Sequence, residues 1–286
     1  MNFLSYLING ISLGSVYAII ALGYTMVYGI AKMLNFAHGD VIMVGAFVAY
    51  FALSSFGLPT IVALILSVVA CTVLGIVVEK LAYKPLRGAS SLSVLITAIG
   101  VSYFLQNAAM LMWGTDTKIF PTILEGTLTI GELSIPYLTL LTILSCIVIM
   151  VVLTMFINKT KTGRAMRACS EDKGAASLMG INVNQIISIT FAIGSGLAAI
   201  AAVLLCATYP SVYPTLGSMP GIKAFTAAVL GGIGSIPGAF LGGLLLGVIE
   251  NLARAYISTQ LSDAIVFMVL IVILLIKPTG LLGKKV

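Results

Sequence analysis

The sequence predicts an all-α, polytopic integral membrane protein of about eight or nine transmembrane helices. Three observations predict it. The chain of 286 residues is 60% hydrophobic and only 8% charged, where soluble domains carry about 25% charged residues. Its apolar residues fall into long runs, many near the roughly 20 residues a helix needs to cross a bilayer. Its basic residues lie in short clusters between those runs, the pattern that marks cytoplasmic loops. A chain so depleted of charge has no means of covering a water-facing surface, so lipid is its expected solvent. The length fits one membrane domain, residues 1–286, with no room for a soluble catalytic domain.

The runs can be taken in order. Residues 4–30 form the first. No basic segment precedes it and it extends past Tyr28, so it reads as an uncleaved span. Residues 41–56 form a shorter second run. Pro59 opens the third, 60–82, which ends on the cluster Lys80, Lys84 and Arg87. Residues 92–113 form the fourth. The stretch 114–135, with Asp116, Glu125 and Glu132 against a single Lys118, reads as an external loop. Pro136 opens the fifth run, which ends at Ile157, and 185–208 form the sixth. After an external turn with Pro210 and Pro214, the pattern breaks. A short apolar piece, 221–230, is interrupted by GGIGSIPG at 231–238, and 239–255 resume it. A last run, 261–276, ends at Lys277-Pro278. If the basic tail with Lys277, Lys284 and Lys285 is cytoplasmic, residues 221–255 must cross an even number of times. Two short helices meeting near Pro237 satisfy that parity. Non-helical backbone at membrane depth survives only where protein or water satisfies it, so the break is expected between helices or beside a cavity.

Between the fifth and sixth runs lies the longest polar interval, 158–181. It holds Lys159, Lys161, Arg164, Arg167 and Lys173, five of the fifteen basic residues. Its interior is rich in helix formers. Two short helices are expected, 163–170 and 172–179, with Thr162 as a cap and Gly180 as a stop. Arg164 and Arg167, three apart, share one helical face.

Several function classes are excluded or weakened. Twelve of the fifteen basic residues sit in four inter-span clusters, which is a topology signal and leaves no continuous face for nucleic acid. There is one histidine, so no histidine pair for a metal, and no GxxxxGK[ST] phosphate loop. No cofactor is expected in this chain. Cys71, Cys146, Cys169 and Cys206 have no metal-site spacing and read as small packing residues.

Three features carry candidate chemistry. The segment from Lys32 to Asp40 puts Asn35, His38 and Asp40 between two apolar runs. One reading is an interfacial turn where Lys32 and Asp40 meet water and His38 caps carbonyls. The other is a loop lining a translocation route, since ionisable groups within the membrane are costly. Small residues recur every fourth position, at Gly10, Gly14 and Ala18, at Gly194, Ala198 and Ala202, and from Gly231 to Gly247. That spacing lets helix backbones approach closely in lipid, and Gly231, Gly232, Gly234, Pro237 and Gly243 are the expected break and packing residues. Glu250 and Arg254, one turn apart, are expected to pair.

These motifs together resemble the permease subunits of ATP-binding-cassette importers for branched-chain amino acids. NGISLGSVYAIIALGYTMVYGI followed by NFAHGD is similar to that family's N-terminal signature. AVLGGIGSIPGAFLGGLLLGVIE, the ending KPTGLLG and the segment GRAMRACSEDKGAASLMGI complete a likeness that covers essentially the whole chain. The resemblance implies that 158–181 is a cytoplasmic coupling loop for separate ATPase subunits, with Arg164, Arg167, Glu171, Asp172, Ala175, Ala176 and Gly180 as its candidate residues. The broader importer signature reads Glu-Ala-Ala, three residues, then Gly. Here Ala175, Ala176 and Gly180 match it, Gly174 replaces the Glu, and the downstream Ile-x-Leu-Pro is absent. The resemblance further implies a second related permease, two ATPases that bind the ATP and magnesium, an external solute-binding protein and an inner-membrane location. Related permeases move other amino acids, amides or urea. An ion-gradient-driven carrier is the alternative from the residues alone, because broken helices are common in that class.

Overall fold

The computed structural model describes residues 3–130 and 133–283. Glu132, expected in the external loop, and Lys284 and Lys285 of the basic tail lie outside the described residues. Eleven α-helices and one hairpin make up the described chain. They are α1 (Phe3–Ala31), α2 (His38–Ser54), α3 (Thr60–Val78), α4 (Ser91–Trp113), β1 (Thr127–Ile130), β2 (Leu133–Pro136), α5 (Tyr137–Lys159), α6 (Lys161–Glu171), α7 (Lys173–Leu178), α8 (Val183–Thr208), α9 (Ser218–Gly231), α10 (Ile236–Tyr256) and α11 (Ser262–Ile276). Among the described residues six helices are long and apolar enough to cross a membrane, and His38–Ser54 and Ser262–Ile276 are shorter apolar helices.

α1 and α8 form the interior. α1 packs on α10, α8, α9 and α5, and α8 packs on α3 and α2. α3, α4 and α5 expose apolar side chains such as Ile61, Phe104 and Val152 on their outer faces, as helices solvated by lipid do. The chain alternates between two ends of the bundle. One end carries α6, α7, the Gly break and the tail. The other carries the β1–β2 hairpin and the bridge between Lys118 and Val212. The hairpin was not expected from the sequence, because its strands are only four residues each.

The stripes of small residues meet one another. A β-carbon on Gly14 would sit 2.8 Å from the Leu244 Cα, and one on Gly10 2.9 Å from the Val248 Cα. One on Gly243 or Gly247 would run into the backbone of Ala18 or Gly14. α1 and α10 therefore cross at backbone contact, antiparallel. With lipid tails as apolar as leucine, such packing replaces the hydrophobic force that would join helices in water. Gly194 of α8 approaches Gly23 and Val27 of α1 in the same manner.

The Gly break lies at the loop end of the bundle and not at mid-depth. α9 runs down to Gly231, the chain turns through Gly232 and Gly234 at φ 102° and 95°, and α10 climbs back from Ile236. Ser235 caps α10 by accepting from the Gly238 amide at 3.2 Å, and Pro237 occupies its first turn, where no donor is lost. The carbonyls left open at the end of α9 are met by the tail. Leu281 donates to the Leu230 carbonyl at 2.8 Å and Leu282 to Gly231 at 2.9 Å. Of the expected packing glycines, Gly231 and Gly243 are hemmed in by backbone, while Gly234 has room and is there for its conformation. Gly232 is both: it has a positive φ, and the tail glycines Gly280 and Gly283 pack against it.

Candidate functional site

Two helices begin inside the bundle. After Ala31 the chain turns at Lys32, whose φ is 55°, and climbs back without helical structure as far as Ala37. α2 then starts beside Gly23 and Tyr24 of α1. The His38 ring lies edge-on to Tyr24, with centroids 4.6 Å apart, and fills the space over Gly23. Gly23 is eight residues before Ala31, so α2 begins about 12 Å inside the bundle at 1.5 Å per residue. α9 starts at the same depth. A β-carbon on Gly39 would stand 2.5 Å from the Gly217 carbonyl oxygen, and one on Gly221 2.9 Å from the Gly39 Cα. The N-termini of α2 and α9 thus abut, one helix rising and the other descending.

The interfacial-turn reading of this segment is corrected in part. Lys32 is exposed, but Asn35, His38 and Asp40 are buried at 4%, 1% and 2% exposure. Re-entry of residues 32–37 carries all three into the bundle. His38 Nε2 has no hydrogen-bond partner among the described residues. Asn35 accepts from the Tyr83 hydroxyl at 2.8 Å, which ties the re-entrant segment to the π-helical turn Glu79–Tyr83 after α3. Asp40 accepts from the Gln106 amide of α4 at 2.8 Å. The same amide nitrogen lies 3.3 Å from the hydroxyls of Ser102 and Ser218.

A cavity of about 380 Å³ lies at this junction. Asp40, Ser102, Gln106 and Ser218 give it a polar side, and Phe36, Leu95, Ile99 and Ile222 an apolar one. Its size falls in the usual range for small-molecule sites. Sequence reasoning missed Gln106, Ser102 and Ser218. An amide inside the apolar run 92–113 is the signal that could have found Gln106.

The loop 158–181 is two helices. Thr160, not Thr162, caps α6, because its hydroxyl accepts from the Gly163 amide at 2.9 Å. Gly163, Met166 and Cys169 face the bundle, and Arg164 and Arg167 are exposed on the opposite side. Glu171 is exposed beside a second cavity, of about 600 Å³, that separates α6 from the Gly break. Asp172 caps α7 by accepting from the Gly174 and Ala175 amides at 2.7 and 3.0 Å. Ala175 is exposed, but Ala176 is turned inward at 4% exposure, so only the former is free to seat against another surface. Gly180 ends the segment at φ 82°. Leu178 and Met179, the apolar pair beside it, are 90% and 83% exposed. Lys32, Lys80, Lys84, Arg87 and Lys277 lie at this same end of the bundle.

A buried charge cluster joins the last three helices. Glu250 of α10 pairs with Arg254 as expected, and also with Lys223 of α9 at 2.8 Å. Lys223 reaches Asp263 of α11 at 2.6 Å. At the loop end the wholly buried Glu79 pairs with Arg87 and accepts from the Ser188 hydroxyl of α8 at 2.6 Å.

The comparisons with known proteins meet this geometry. Residues 6–274 match the family model described as the permease component of branched-chain amino acid transport systems. The chain belongs to that family. Over 99% of its length it is 48% identical to the high-affinity branched-chain amino acid transport system permease protein BraD of Pseudomonas aeruginosa, covering 96% of that relative. It is 45% identical to the corresponding permease protein LivH of Escherichia coli K12, with the same coverage of both chains. A chain from the solved structure of PsaBC from Streptococcus pneumoniae in complex with Fab shares the fold, with a TM-score of 0.50 over 98% of this chain and 92% of its own, at 15% identity. This permease-family chain is therefore a multi-pass membrane protein, and its apolar outer faces have the solvent they require.

Proposed function

We propose that this chain is the membrane-spanning subunit of an importer that moves branched-chain amino acids into the cytoplasm, driven by two separate ATPase subunits docked on α6 and α7. It works beside a second, related permease and receives its cargo from an external solute-binding protein. The observation that carries the coupling role is the surface of the loop end. Leu178 and Met179 stand almost fully exposed at the end of α7, and Arg164 and Arg167 are exposed on the preceding α6, at the end where the basic clusters collect. Bare apolar side chains and exposed cations on the same pair of helices suit an acidic protein partner. By the positive-inside rule this end is cytoplasmic in the inner membrane, and the described chain leaves the bundle there. The opposite end, with the β1–β2 hairpin and the Lys118–Val212 bridge, then receives the binding protein. Nothing in this reading asks the chain to catalyse a reaction. The substrate follows from the close relatives, and the route runs past Asp40 through the cavity between α2, α4 and α9.

The test is co-purification followed by reconstitution. A tag on this chain should bring down two ATP-binding chains and a sister permease, and the complex in liposomes should accumulate leucine only with ATP and the binding protein. Leucine uptake driven by an ion gradient in the absence of ATP would contradict it.

A further inference from the structure

We infer that the cavity where α2 and α9 abut is a subsite for the charged end of the passing amino acid, with Asp40 receiving its ammonium group. The inference rests on the import function proposed above and adds the groups that hold the cargo. Asp40 is 2% exposed, and its carboxylate accepts from the Gln106 amide at 2.8 Å and faces the Ser102 hydroxyl. A carboxylate has about four lone-pair sites, so acceptor capacity remains, and the residue lines the cavity. No cation of this chain pairs with it among the described residues. A carboxylate in that position, within a membrane domain, lacks the counter-charge that would make it a structural ion pair. A transported ammonium supplies one.

The other charge of a zwitterion also has a place. Ser218 opens α9, its hydroxyl lies 3.3 Å from the amide nitrogen that Asp40 engages, and the helix runs away from the cavity. The first turn of a fourteen-residue helix is the positive end of its dipole; its Ser218 amide is taken by the Thr215 carbonyl and Pro220 has none, so the dipole and the Ser218 hydroxyl are what an anion meets there. Gln106 therefore spans from the anionic to the cationic pole of the site. Beyond it, Leu95, Ile99 and Ile222 form an apolar wall on the same cavity. A branched aliphatic side chain gains favourable transfer energy against such a surface.

The experiment measures leucine moved per ATP hydrolysed, in liposomes holding the full complex with its binding protein. A loss of folding lowers uptake and hydrolysis together and leaves that ratio unchanged. Loss of the subsite lowers the ratio. Asp40→Asn should lower it at least tenfold, and Asp40→Glu, which keeps the charge, should recover part of it. Ile99→Trp, which fills the cavity from α4 without touching the polar groups, should lower it as well. A ratio within twofold of wild type in Asp40→Asn overturns the inference. If that variant does not assemble, an unchanged ratio in Ile99→Trp overturns it. Absence of ATP-driven leucine uptake by the wild-type complex would instead count against the import function itself.

Discussion

The Lys173 ammonium at the start of α7 donates to the carbonyl of Ala31, the last residue of α1, at 2.6 Å. Ala31 is also where the chain leaves helix and turns back toward Asn35, His38 and Asp40. This hydrogen bond therefore links α7 to the start of the re-entrant segment that reaches the cavity. Tyr83 holds the same segment through Asn35, and Glu79 and Arg87 hold the Tyr83 turn to the first two turns of α8. α8 is the helix that α7 leads into. The connection from loop to cavity thus runs along two arms.

Lys173→Met should break the first arm. Uptake should fall severalfold while the permease inserts and assembles. Burial, with the neighbouring Arg87 and Lys32 charges, holds the Lys173 ammonium below the ordinary lysine value of 10.5. The unfolded chain then binds more protons than the folded one between the folded value and 10.5, so stability rises with pH across that window. Thermal midpoints of the purified complex on the alkaline side should rise with pH less steeply in Lys173→Met than in wild type. Parallel curves would show that Lys173 carries no such burden.

Backbone contact between α1 and α10 gives a second expectation. Gly243→Leu drives a side chain into Ala18 and should abolish assembly, since overpacking costs about 1–3 kcal/mol even where the neighbours can shift. Gly88→Leu, in an open loop with nothing near it, should assemble normally. Gly234→Ala should fall between, because the space is free but the positive φ is not. Yield of intact complex on size exclusion reads all three. Equal yields of Gly243→Leu and Gly88→Leu would remove close packing as the reason for the glycines.

Much of this was legible in the sequence, and the limits have physical causes. Apolar run lengths placed α1, α3, α4, α5 and α8 within a few residues, because lipid admits only helices or closed barrels and runs of about 20 residues fit the helix. The fourfold spacing of Gly10, Gly14 and Ala18 and of Gly243 and Gly247 announced close contacts, but spacing names no partner, and only the fold shows that these two stripes meet each other. Depth was the main gap. Hydropathy does not say whether a polar segment such as 32–37 stays at the surface or re-enters, nor that GGIGSIPG is a hairpin turn at the end of the bundle. Asp40 was singled out as a carboxylate between apolar runs. Its partners Gln106 and Ser218 lie 66 and 112 residues further along, and no local pattern links them. Ala176 was expected to face a partner and faces inward, because a helix as short as α7 has too few residues for its buried side to be read from periodicity.

Lys223 is a lysine 4% exposed in a short apolar helix, flanked by the carboxylates of Glu250 and Asp263. Breaking a buried pair costs about 3–5 kcal/mol because it strands a charge. Lys223→Met should therefore lower the melting temperature of the complex sharply, and Lys223→Met with Glu250→Gln should recover part of the loss. A double variant no more stable than the single one would mean that Glu250 is satisfied without Lys223.

Topology has its own check. In a background without Cys71, Cys146, Cys169 and Cys206, a cysteine at Lys161 should resist an impermeant reagent applied outside intact cells, while one at Ser55, at the opposite end, should react. Labelling at position 161 would reverse the orientation and with it the assignment of α6 and α7 to the ATPase side.

The proposed seat of the ATPases is α6 with α7. Arg164 and Arg167 are exposed and make no ion pair among the described residues, so their loss should leave the bundle intact. The direct measurement is ATP-dependent leucine uptake, with ATPase co-purification, for Arg164→Ala combined with Arg167→Ala. A correctly inserted permease that retains little ATPase and little uptake is the predicted result. Full uptake with both ATPase chains still bound would contradict it.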